Sequence, residues 1–185
     1  GVGEEHCYGD YREMLDKEQP DFVDVCSWHQ MHAEMVIAAA ARRPKAILCQ
    51  KPMAVDLREA DDMLTACARN NVKLIIAYQR PHHAVWLKAR ELVREGVIGK
   101  ISQVQLACGG NLLNTNSHNI RLALFMMDEP QVEWVVGAVE RTTELVERGL
   151  PAEDACMGVA GCANGASILI MGNLVGGLGQ GCRII

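Results

Sequence analysis

Aromatic side chains are scarce in this chain. Three Trp, three Tyr and two Phe make up 4% of its 185 residues, so any core must rest on Val, Ile, Leu, Ala and the nine Met. None of the eight cysteines forms a C-x-x-C pair, and no Cys or His cluster has the close pairing on a turn or helix that a structural zinc needs; no metal enters the reading. The cysteines fall mostly inside apolar runs and read as small buried hydrophobes of a reducing compartment, hence a cytoplasmic location. A basic block is also missing. Eighteen Lys and Arg stand against 23 Asp and Glu, a formal net charge of −5, which argues against nucleic acid as a partner. The start, Gly1 to His6, has neither the basic nor the apolar region of a signal peptide.

What is present is a globular composition, 49% hydrophobic and 22% charged, which excludes disorder as the main state and allows one to two domains. Residues 155–182 carry no charge, which raises the question of a membrane span. Glycines interrupt that stretch, as do Asn164, Ser167, Asn173 and Gln180, and Asn164-Gly165 separates two short apolar runs, 156–163 and 166–171. Asn-Gly favours positive φ at both central positions of a tight turn, so the pattern predicts a β-hairpin and no membrane partner.

Along the first hundred residues short apolar runs alternate with helical patterns. Strands are expected at 21–27, 45–49 and 72–77, and helices at 31–42 and after Asp56. Asp56 is placed to cap that helix with Glu59 as its reciprocal partner, and Leu57, Ala60, Met63, Leu64 and Cys67 form its buried stripe. Strand–helix alternation of this kind argues for a parallel sheet covered on both faces. A joining helix over about 82–95 stops at Gly96. Beyond it the pattern becomes that of a sheet with one wet face: strands near 101–107, 132–140, 156–163 and 166–171, with a helix near 117–127. The boundary falls near residue 80, and the glycine-rich run 172–181 is the only low-complexity stretch.

In an open parallel sheet, ligands bind at the carboxyl ends of the strands. The residues there are Ser27-Trp28-His29, Gln50-Lys51-Pro52 and Tyr78-Gln79-Arg80. A lysine at a strand tip, followed by a proline that stiffens the turn, can hold an ammonium over the crevice; the same pattern also describes a surface lysine in a turn.

Gln50-Lys51-Pro52-Met53-Ala54 resembles the E-K-P-M-A stretch of the Gfo/Idh/MocA oxidoreductases (glucose-fructose oxidoreductase, inositol dehydrogenase and rhizopine catabolism). Asp10 to Leu15 is similar to that family's D-Y-R-E-M-L. The segment Val25-Cys26-Ser27 through His32-Ala33-Glu34-Met35 is similar to V-C-T-P-x-x-x-H-A-E-M, and Ala77-Tyr78-Gln79-Arg80 to G-Y-x-R. Ile98 to Ile101 resembles I-G-K-I, and Leu112 to His118 resembles L-L-D-x-G-x-H. The pieces occur in family order across about residues 8–140.

The resemblance implies an α/β chain: the C-terminal part of a Rossmann-type parallel sheet (residues 1–80), then a linking helix and an incomplete α+β domain with a mainly antiparallel sheet (81–185). It implies hydride transfer between NAD or NADP and a sugar, polyol or related hydroxylated substrate, in a homo-oligomer, dimer or tetramer. Lys51 then bonds the reacting oxygen and His118 moves the proton, with Asn114 orienting the imidazole; an imidazole titrates near neutrality, as that task requires. Ser27, Trp28, His29, His32, Gln50, Lys51 and Arg80 are the expected cofactor contacts. Trp28 stands either beside the cofactor ring or as a buried structural residue, and His82 and His83 read as solvated.

The chain departs from the family pattern at several positions: Gln50 replaces Glu, Asn114 replaces Asp, Asn116 replaces Gly, Arg121 replaces Asp, and Trp28 stands where the family often has Pro. Arg121 is a substrate clamp or a solvated helix residue. The G-x-G-x-x-G turn that holds a pyrophosphate is missing, since Gly1-Val2-Gly3 has His at position 6 and the run 177–181 has the wrong spacing. The chain therefore reads as an internal piece. Two rivals share the fold: a non-catalytic ligand sensor and a redox-assisted glycosidase that regenerates its nicotinamide.

Overall fold

The computed structural model describes residues 3–174 and 181–185. Residues 175–180 of the glycine-rich run, and the first two residues, lie outside the described ones. The chain divides into two compact units, Gly1–Ala77 and Tyr78–Ile185.

The first unit opens with α1 (Tyr11–Glu18), a helix not anticipated from periodicity, capped by Asp10, whose carboxylate accepts from the Arg12 amide at 2.8 Å. Then come β1 (Phe22–Val25), α2 (His32–Ala40), β2 (Ala46–Gln50), α3 (Leu57–Asn70) and β3 (Lys73–Ala77). The three strands pair in parallel in the order β1-β2-β3, with Val23 opposite Ile47 and Cys49 opposite Ile76. The cap of α3 forms as the sequence suggests: Asp56 accepts from the Glu59 amide at 2.8 Å. The reciprocal bond lands one residue earlier, on the Val55 amide, at 3.2 Å.

Burial alternates along β1 and β2, so Val23, Val25, Ile47 and Cys49 face a core built with Val36, Ala39, Ala40, Met63 and Cys67 from α2 and α3. This corrects the expectation of a sheet covered on both faces. Phe22 and Ile75 are exposed, and the buried positions follow a period of two.

The second unit holds α4 (Ala84–Arg94), β4 (Gln103–Cys108), α5 (Ser117–Met126), β5 (Val132–Glu140), β6 (Val146–Glu147), β7 (Leu150–Pro151), β8 (Ala155–Cys162), β9 (Ser167–Gly172) and β10 (Gly181–Ile184). A five-stranded sheet has the order β10-β4-β9-β8-β5. It is mainly antiparallel, with one exception at its centre, where β4 and β9 run parallel. Val104, Leu106 and Ile168 pack under Ala123 and Met127 to form its core. The strand β10 and the two-stranded β6–β7 ladder had no local signal.

The hairpin between β8 and β9 is present, but its turn differs from the expected one. Gly165 alone takes positive φ (+84°), and its amide donates to the Cys162 carbonyl at 2.9 Å. Asn164 instead uses its side chain, accepting from the Ala166 amide at 3.0 Å. Among the described residues no helix is long and apolar enough to cross a membrane.

Candidate functional site

In the first unit the candidate residues sit directly after β1 and β2. Ser27 is half-buried, Trp28 is 60% exposed, and His29 is buried in a single 3-10 turn, His29–Met31, that leads into α2. Trp28 is therefore not a buried structural residue; its indole is the broad surface this loop presents. His32, 1% exposed, has Nδ1 2.9 Å from the Pro52 carbonyl oxygen and Nε2 3.0 Å from that of Ser27. Gln50 is the last residue of β2. Lys51 follows it, half-buried, before the buried Pro52. β2 is the central strand of the three, so Lys51 leaves the sheet at the middle of its carboxyl edge.

In the second unit a one-turn π-helix, Leu112–Asn116, leads into α5, and asparagines hold it. Asn111 accepts from the Asn114 amide at 2.8 Å. The Asn116 side chain, wholly buried, donates to the Gly110 and Asn111 carbonyls at 3.0 and 3.2 Å, and the Asn119 amide donates to the Cys108 sulfur at 2.9 Å. Gly110 is required here: its φ is +83°, and a Cβ would meet the Thr115 side chain at 2.5 Å. The loop delivers His118, 8% exposed, to the second residue of α5, where the Tyr78 ring meets it edge-on with centroids 5.9 Å apart. Arg80 donates to the Asn119 side-chain oxygen.

Residues 2–78 match the model of a family described as oxidoreductases with an NAD-binding Rossmann fold. The first unit of this chain belongs to the Gfo/Idh/MocA family. Myo-inositol 2-dehydrogenase of Thermotoga maritima is 28% identical over 142 residues, which cover 69% of this chain and 42% of the relative. D-apiose dehydrogenase of Paraburkholderia graminis is 39% identical over 98 residues, 52% of this chain and 26% of the relative. An inositol dehydrogenase homologue of Azotobacter vinelandii, solved with NADH and myo-inositol, shares the fold of this whole chain with a TM-score of 0.82 at 23% identity, over 55% of its own length. The chain spans about half the length, or less, of the relatives it matches.

The residues of the Gfo/Idh/MocA unit fit one part of a dinucleotide. The exposed Trp28 indole offers a flat apolar face, and Gln50 and Lys51 supply an amide and an ammonium at the strand tips.

Two functional candidates escaped sequence reasoning. Glu147, at the β6–β7 turn, accepts from the Asn114 side-chain amide, and Glu153 accepts from the Leu112 amide. They lie 33 and 41 residues along the chain from their partners, and nothing local marks them. Tyr78 enters the sequence reading as a strand-end residue and as part of the G-Y-x-R resemblance, without a role of its own. Arg121 is engaged by Glu129 at 2.6 and 2.7 Å, which makes it part of a surface ion pair. His83 caps α4, its Nδ1 accepting from the Val85 amide at 3.4 Å. Among the described residues no group of His, Cys, Asp or Glu is gathered to hold a metal ion.

Proposed function

We propose that the full-length protein is an NAD(P)-dependent oxidoreductase that moves a hydride between a nicotinamide and a sugar, polyol or related hydroxylated substrate. The observation that carries this reading is the position of Lys51 at the carboxyl end of the central strand in a unit of an NAD-binding family. The nicotinamide, when bound, supplies the hydride acceptor or donor. Ser27, Trp28, Gln50 and Lys51 in the first unit and Arg80 in the second are the side chains assigned to hold it; His29 and His32 contribute from buried positions behind that surface.

In this reading the Lys51 ammonium donates to the reacting oxygen. As that oxygen gains negative charge the hydrogen bond strengthens, and the gain goes to the transition state. The His118 imidazole takes the hydroxyl proton at a ring nitrogen in oxidation and returns it in reduction. Tyr78 limits rotation of the ring by its edge contact. Asn114 contributes an amide rather than a carboxylate, and Glu147 beside it brings a negative charge to the same loop. We assign the protein to the cytoplasm and to a homo-oligomer, dimer or tetramer.

The test uses the complete reading frame; on this reading a strand, a G-x-G-x-x-G turn and a helix are expected ahead of this chain, and a reading frame without them counts against the cofactor assignment. Purified protein is mixed with NAD⁺ or NADP⁺ and a panel that includes myo-inositol, D-apiose and D-xylose, and nicotinamide absorbance is followed. Turnover is expected, falling roughly 100-fold or more in Lys51→Ala and His118→Ala. Cofactor binding without turnover identifies the sensor instead, and sugar release without net NADH identifies the glycosidase.

A further inference from the structure

His32 is the first residue of α2, yet its ring belongs to neither solvent nor helix. Its two nitrogens lie 2.9 and 3.0 Å from two main-chain carbonyl oxygens, one on each of the segments that carry the candidate cofactor residues. Ser27 follows β1 and precedes Trp28; Pro52 follows β2 and Lys51. Carbonyls only accept, so a doubly protonated ring donates to both, and a neutral ring donates to one and turns a lone pair on the other. Buried carbonyls need such partners, because an unpaired one forfeits its hydration with nothing in return. Pro52 has no amide proton of its own, so the turn at Lys51 has one fewer main-chain donor with which to fix itself.

We propose that His32 is a positioning residue: its imidazole fastens the Lys51–Pro52 turn to the Ser27–Trp28 segment and so sets where the Lys51 ammonium stands. The catalytic part of this inference rests on the reading in which Lys51 acts at the reacting oxygen. The mechanical part does not. The Pro52 carbonyl is one residue from Lys51, and any shift in it passes through the backbone to the Lys51 Cα.

The experiment compares the unmutated chain with His32→Gln, which keeps one donor, and His32→Leu, which keeps none. Two readouts need no activity. Acylation of Lys51, followed by mass spectrometry against Lys88 and Lys100 as internal references, is expected to change severalfold in His32→Leu and less in His32→Gln. Hydrogen exchange of the Lys51 and Met53 amides is expected to quicken about tenfold, as in local opening. In the full-length enzyme His32→Leu is expected to lower kcat by about 10- to 100-fold, the scale of a misplaced catalytic group, with partial rescue in His32→Gln. Added to Lys51→Ala, the same change is expected to cost no further turnover, because the two act as one unit.

A folded His32→Leu protein with unaltered Lys51 acylation and amide exchange overturns the proposal, as does a loss that simply adds to that of Lys51→Ala. If Lys51→Ala retains full turnover, the functional reading fails, and acylation and exchange still judge the fastening. If His32→Leu does not fold, His32→Gln and nitrogen NMR of the native ring decide. A ring proton in slow exchange with water supports the fastening, and free exchange at both nitrogens overturns it.

Discussion

At the scale of single residues, Asn114 and Cys49 make the clearest claims. Asn114 donates its side-chain amide to Glu147. An Asn114→Asp exchange therefore sets two carboxylates together in a loop where Asn114 is buried and Glu147 is half-buried. Like charges cannot both ionise cheaply at such range, so one of the pair must take up a proton or the β6–β7 turn must move away. We expect Asn114→Asp to cost about 1 kcal/mol at neutral pH, with the loss shrinking in mild acid and removed by adding Glu147→Gln. Thermal melts of the three variants across pH check it. Cys49, with no exposed surface, has its thiol pushed up to about 12 by burial, with Asp24 adding to the rise. The thiolate is the reactive form, so iodoacetamide at mildly alkaline pH should label the exposed Cys7 first. Cys26, also exposed, should follow more slowly, because its hydrogen bond with Asp24 raises its thiol. Cys49 should react only after unfolding, and peptide mapping of the labelled protein reads the order. Early labelling of Cys49 in the folded state contradicts this burial.

Elements show which interactions a local reading reaches. The helix α3 was legible with its Asp56 cap; of the expected stripe Met63 and Cys67 are buried and Ala60 is half-buried, whereas Leu57 and Leu64 are exposed. The core strands were legible as apolar runs. The parallel pairing of β4 with β9 was not, since it joins Gln103 to Ser167, and β10 is defined only by its bonds to β4. Lys51 stood out locally as a lysine at a strand tip before a proline, a pattern that also fits a surface lysine; its role and that of His118 came from resemblance to a known family. The asparagines that seat His118 read locally as loop formers, and only the fold turns them into a bonded set. Long-range pairing also ties α4 to the end of α5. Asp128 receives Arg90 and Arg94, and those guanidinium groups hold its carboxyl below the usual carboxylate range, Arg94 contributing most. A carboxyl depressed in the folded state stabilises the fold fully above its unfolded pKa, and that contribution fades as pH falls through the folded value. Asp128→Asn keeps the positive φ of +63° that position 128 adopts, since Asn tolerates it, and removes only the charge. We expect the substitution to lower the Tm by about 2–4 °C at neutral pH, the scale of an exposed ion pair in a chain this long. The difference should begin to shrink near pH 4, where the unfolded carboxyl titrates, and close as pH falls through the lower folded value. A gap that stays constant from neutral pH to acid excludes the ion pair as its cause.

For the whole molecule the outstanding feature is β5. It lies at the edge of the five-stranded sheet, pairing with β8, and each of its nine residues is exposed. Its side chains are strongly apolar: Val135 is 71% and Val139 65% exposed, with Trp134, Val136 and Met157 of β8 exposed nearby. A cavity of about 260 Å³ opens among Leu112, Val135, Val139, Cys156, Met157 and Ile170. An apolar patch of this extent marks an interaction surface, and an unguarded edge strand invites a partner to continue its ladder. The homo-oligomer we propose places a second copy here, which buries the valines of both chains. Val135 and Val139 share one face of the strand, so Val135→Lys with Val139→Lys puts four like charges into a two-fold contact while leaving the buried core untouched. Sedimentation velocity over a micromolar concentration series should show the unmutated chain associating, and the double lysine variant weakened at least tenfold, about 1.4 kcal/mol or more of association energy. The lysines should leave the thermal melt of the dilute chain almost unchanged, because they replace exposed side chains. An unmutated chain that stays monomeric throughout, or a lysine variant that associates as tightly, removes β5 as the contact.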